Sequence, residues 1–157
     1  MKTKLLIIVI LITFVLICSA NIVWAGSGLN FFTNEIDKTP AITGSWQDVD
    51  VSANGVPAGA TGAILRLHST SGSQSLAVRA NGSTDTRTPT MDGLDHTGAM
   101  VKLDTNRIFE AYISDSTAKV YLIGYTTDGT DFLTNAVDKT PTTAGAWVDV
   151  DVSANIP

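Results

Sequence analysis

The chain has 157 residues, with 10 Lys+Arg against 15 Asp+Glu, two His and one Cys. That length admits one ordinary domain, or one domain with part of another. The acidic balance argues against a nucleic-acid partner, which needs clustered basic side chains, and the scarcity of Cys and His leaves little room for metal chemistry.

Residues 1–25 read as a secretory signal peptide. Lys2 and Lys4 give a positive start, Leu5 to Ile17 form an apolar run of 13 residues, and Val23-Trp24-Ala25 supplies small residues for a cut after Ala25. A cut after Ala20 is the alternative. An uncleaved anchor is the rival reading, but a helix that spans the bilayer needs about 20 apolar residues. Ile17 before Cys18 disfavours a lipid-attachment site, which takes a small side chain there. The expected location is secreted or cell-surface, with no membrane contact beyond the signal segment. Without Lys2 and Lys4, eight basic residues face fifteen acidic ones, a formal charge of −7, and no Cys remains. A domain of about 100 residues can fold without disulfides.

The rest of the chain reads as all-β. After residue 25 there are 19 Thr, and 13 of the 15 acids are Asp; Thr suits strands and Asp suits turns. Strands are expected at 30–36, then at 47–53 with Val49 and Val51 on one face and Asp48 and Asp50 on the other. Residues 57–62 form a turn. Strand 63–69 points Ala63, Leu65 and Leu67 inward and Arg66 and His68 outward. Strand 75–80 buries Leu76 and Val78 and ends at Asn81-Gly82, a turn that needs positive φ. Residues 82–98 read as a long irregular stretch. Strands 99–103, 108–113 and 119–125 follow. Alternation with short, regularly spaced turns predicts an antiparallel β-sandwich or jelly-roll-like unit.

An internal repeat is the most specific feature. Residues 31–54 recur at 132–155 with a constant offset of 101, and 16 of the 24 positions are identical, including Asp37-Lys38-Thr39-Pro40 and Asp48 through Asn54. Chance does not produce this, so the chain is built from tandem units of about 100 residues. The units are a β-sandwich at 29–130 and an incomplete second repeat at 131–157 holding its first two strands. Two strands make no stable sheet alone. The chain is therefore expected to be part of a longer repeat protein; alternatively, residues 132–157 complete the first unit's sheet.

Three runs carry a family resemblance: Trp46-x-Asp48-Val49-Asp50-Val51-Ser52, Val56-Pro57-x-Gly59-Ala60-Thr61-Gly62-Ala63, and Val78-Arg79-x-Asn81-Gly82-Ser83-Thr84-Asp85. From about residue 31 onward the chain resembles poorly characterised tandem β-sandwich repeats of secreted or phage- and virus-associated structural proteins. The resemblance implies the fold and carries over no functional residue.

No catalytic constellation is expected. There is no Gly-x-Ser-x-Gly elbow, zinc spacing, phosphate loop or dinucleotide fingerprint, and His68 reads as a solvated residue on an outward strand face. Asp92-Gly93-Leu94-Asp95-His96 gathers carboxylates on a loop, the chemistry of a Ca²⁺ site, but lacks the full Asp-x-Asp-x-Asp-Gly pattern with a distal Glu; it reads first as a turn, and no cofactor is assigned. Trp46 and Trp147 occupy equivalent positions. Either they pack at a sheet edge or between units, or they stack on a sugar ring. Residues 82–98 are the expected recognition loop, and Asn81-Gly82-Ser83 fits a glycosylation acceptor. The candidate ligand-binding residues are Trp46, Asp85, Arg87, Asp92, Asp95 and His96. The expected function is a structural or adhesive repeat of a cell surface or virion, with neighbouring units, a glycan or a surface protein as partners. The alternative is a carbohydrate-binding module attached to an enzyme.

Overall fold

The computed structural model describes residues 28–127, 129–145 and 147–155. The signal segment, both of its cut sites and Cys18 lie outside the described residues. Eight strands form: β1 (Leu29–Asp37), β2 (Trp46–Asp50), β3 (Gly62–Ser69), β4 (Gln74–Ala80), β5 (Thr90–Met91), β6 (His96–Lys102), β7 (Ile108–Ile113) and β8 (Ala118–Thr126). No helix occurs among the described residues.

The strands make two four-stranded antiparallel sheets. One has the order β1-β8-β3-β6 and the other β2-β7-β4-β5. The period-2 pattern explains why they face each other. Leu65, Leu67, Val101, Val120 and Leu122 from the first sheet meet Val49, Leu76, Phe109, Ala111 and Ile113 from the second in one buried cluster. Phe109 is the largest side chain in it that is fully buried, and Leu65, Leu76, Ile113 and Leu122 are fully buried beside it. Leu→Ala or Phe→Ala in such a core costs about 2–5 kcal/mol. Register is held by alternation, since a slip of one residue would turn this set to solvent.

Two features depart from the expected strand boundaries. The stretch 82–98 is not wholly irregular: it contains the short β5, and β6 begins at His96 rather than Ala99. His96, Thr97 and Gly98 are all exposed, so no apolar alternation marks them; their ladder to β3, with Leu67↔Thr97 and His68↔His96, makes them a strand. β2 ends at Asp50, yet Val51 stays fully buried and its N–H donates to the Arg107 carbonyl at 3.1 Å.

β8 approaches β1 closely where the register shifts. A β-carbon on Gly124 would collide with the Asn30 carbonyl and lie 3.2 Å from Phe31 Cα, so this position takes only glycine without moving β1. The unit closes on itself: Thr127 N donates to the Gly28 carbonyl at 2.8 Å. Residues 129–145 and 147–155 contain no strand. They are held to the first unit by Asn135, whose Oδ1 accepts from Ser83 Oγ at 3.0 Å and Thr84 N at 2.9 Å, and by Phe132, which lies over Gly62.

Candidate functional site

The six candidate residues fall into two groups. Trp46, Asp85 and Arg87 belong to the first, and Arg79 joins them. Trp46 is on the outer face of edge strand β2, opposite Tyr112 of β7. Its ring packs at 5.8 Å from the Tyr112 ring, and the Arg79 guanidinium sits 4.1 Å above it. Arg79, on β4, also pairs with Glu110 at 2.6 Å, both side chains being 15% exposed, and Arg79 Nη1 donates to the Asp85 carbonyl. Asp85 in turn forms a forked pair with Arg87, the closest contact being 2.6 Å. The Arg87 hydrogen bonds and charge hold the Asp85 carboxyl down at about 2.

A cleft of about 620 Å³ adjoins this group. Its floor is apolar, formed by Leu67, Leu76, Ala77 and Val78, and its rim carries Asp85, Arg87, Thr88 and Pro89. The short β5 creates it. Only Gln74 and Ser75 of β4 pair with β5, and one further bond, Leu76 N to the Pro89 carbonyl at 3.1 Å, holds the loop before the edge opens. An apolar floor with a few polar groups at the rim is the usual make-up of a small-ligand site.

The second group sits on the first sheet. His96 stacks face to face on His68 at 3.9 Å. Arg66 donates to His96 Nδ1 at 2.9 Å, forks onto Glu35 at 2.6 and 2.8 Å, and lies 4.5 Å over the Tyr121 ring. His68 is therefore part of a packed row, where sequence alone showed a solvated side chain. Asp95 contributes its carbonyl, which accepts from Ser69 N and His68 Nδ1 at 3.2 Å each. Asp92 Oδ1 accepts from Ser73 Oγ at 3.1 Å. In the 92–96 loop Asp92 thus uses its carboxylate and Asp95 its backbone carbonyl. Among the described residues no three of His, Cys, Asp or Glu are grouped so as to hold a metal ion.

Sequence reasoning missed Arg79, Glu110, Tyr112 and Arg66. Outward parity on their strands was legible, but which strands are neighbours was not. Trp147, the counterpart of Trp46, is fully exposed. The chain matches no family model, no curated protein and no solved structure.

Proposed function

We propose that this chain is a non-catalytic extracellular repeat module with a structural or adhesive role on a cell surface or virion. The observation that carries the reading is the 101-residue repeat combined with the bond between Gly28 and Thr127. That bond puts the entry and exit of the unit side by side. Successive units then follow one another from one corner of the sandwich, each presenting the same loops, as in other repeat arrays. The strand orders β1-β8-β3-β6 and β2-β7-β4-β5 support the finer description of the unit as a jelly roll of two Greek keys. The signal segment supports secretion, and the acidic charge disfavours nucleic acid as a partner, which leaves neighbouring units, a glycan or a surface protein.

One observation favours a second reading as a carbohydrate-binding module. Trp46, Tyr112 and Arg79 form an aromatic and cationic patch that is continuous, through Asp85 and Arg87, with the cleft rim. A glycan array probed with the chain separates the two. The structural role predicts no saccharide retained through Trp46. A saccharide bound by the chain and lost in Trp46→Ala would replace it with the second reading.

A further inference from the structure

The outer edges of β8 and β7 are covered by β1 and β2, and the chain carries a second segment built to the same pattern. Trp46 and Val49 of β2, and the buried Val51 that follows it, are repeated without change as Trp147, Val150 and Val152. The turns are preformed as well. Gly44 and Gly145 both have φ of +76°. Asp37 accepts from Thr39 N and Asp138 from Thr140 N, each at 2.8 Å. Asp50 and Asp151 accept from Ser52 N and Ser153 N at 2.7 and 2.8 Å. Among the described residues the second copy nevertheless has no strand partner. Trp147 is fully exposed, and Asn155 Oδ1 is buried without a hydrogen bond, whereas Asn54 Oδ1 accepts from Lys38 Nζ at 3.0 Å.

We propose that residues 130–152 can replace residues 29–51 on the β8 and β7 edges of their own unit, so that this edge is a docking surface with two competing occupants. The connection supports it. Leu29 lies opposite Thr126 in the β1–β8 ladder, and the counterpart of Leu29 at the repeat offset is Thr130. Between Thr126 and Thr130 stand Thr127, Asp128 and Gly129, and Gly129 has φ of +88°. Three residues with glycine last is the sequence pattern of a standard hairpin connection. It returns the chain antiparallel along β8, the direction in which β1 runs. β1 and β2 are edge strands in their sheets, so the replacement breaks no interior pairing. A tethered segment competes at high effective concentration, which favours exchange within one chain over exchange between chains. The exchange releases Asn135 and Phe132 from their present contacts. It also gives up the Glu35–Arg66 pair, since Ala136 stands in the place of Glu35. The present packing keeps these contacts and is the favoured one, so the second occupant takes the edge when the first is weakened. The inference does not rest on either functional reading.

The test uses the full chain. Trp24→Phe and Trp46→Phe leave Trp147 as the single tryptophan. Val49→Asp with Val51→Asp then poisons the first occupant. The proposal predicts a monomer that still unfolds cooperatively, with Trp147 emission moved to shorter wavelength and its iodide quenching reduced severalfold. Loss of folding, a folded chain whose Trp147 stays exposed, or burial of Trp147 only in dimers would overturn it. Adding Val150→Asp and Val152→Asp removes both occupants and is predicted to abolish folding; a folded quadruple variant would overturn the proposal too.

Discussion

Thr127 donates its N–H to the carbonyl of Gly28 at 2.8 Å, so the two ends of the folded unit are joined by a backbone bond. The chain leaves the sandwich where it entered. The segment after Thr127 therefore starts beside β1, its own near-copy, and the edge made by β1 and β2 becomes the place where the repeat matters physically.

That edge is sensitive at Gly124. Gly124→Ala places a methyl group against the Asn30 carbonyl and is predicted to cost about 1–3 kcal/mol, the range for overpacking. Gly98→Ala is the control, because the nearest atom to its β-carbon is the Leu65 carbonyl at 4.0 Å. Urea unfolding should show a clear loss for the first and little change for the second.

Arg79 links three groups at once. Arg79→Ala removes the cover from Trp46 and leaves Glu110 unpaired. The expected cost is about 2 kcal/mol, in the range for a charged hydrogen bond. In a Trp24→Phe, Trp147→Phe background, where Trp46 is the single tryptophan, its emission should shift to longer wavelength. An unshifted spectrum would mean that the stack does not persist in solution.

Acid should weaken the fold through carboxylates held by hydrogen bonds. Burial alone would raise the Asp104 carboxyl, but the bonds from Ile108 N, Asn81 Nδ2 and Asn106 N outweigh it and the group lies below its ordinary value. Asp85 is held at about 2 by Arg87. A depressed folded value means that the stabilisation is complete above the unfolded value of about 4 and is lost as pH falls through the folded value. The melting temperature should be flat above about pH 5 and fall between about pH 4 and pH 2. Asp104→Asn should lower the plateau and flatten the fall.

The contact of the second copy with the first unit rests largely on Asn135. Asn135→Ala removes the acceptor for Ser83 Oγ, Thr84 N and Thr84 Oγ1. Limited proteolysis between residues 130 and 145 should become faster, while the melting temperature of the sandwich stays nearly unchanged. A large drop in melting temperature would show that the segment is integral to the fold.

The parts of the fold legible in sequence were those where one face is buried. β7, with alternating partly and fully buried residues, was bounded correctly at Ile108 and Ile113. β3 and β8 were placed to within a residue. β5 was invisible because two residues carry no period, and the start of β6 because His96, Thr97 and Gly98 face solvent. The grouping of Trp46 with Asp85 and Arg87, and the separation of His96 from them, depend on strand order. Strand order is set by long-range packing that a single sequence does not display.

Backbone hydrogen exchange measured by mass spectrometry tests the account most directly. The sandwich with β3, β7 and β8 at the interior of its sheets predicts the slowest amides there, faster exchange in β1 and β2, and the fastest in residues 147–151. Even protection along the whole chain, or slower exchange in residues 147–151 than in β8, would contradict it.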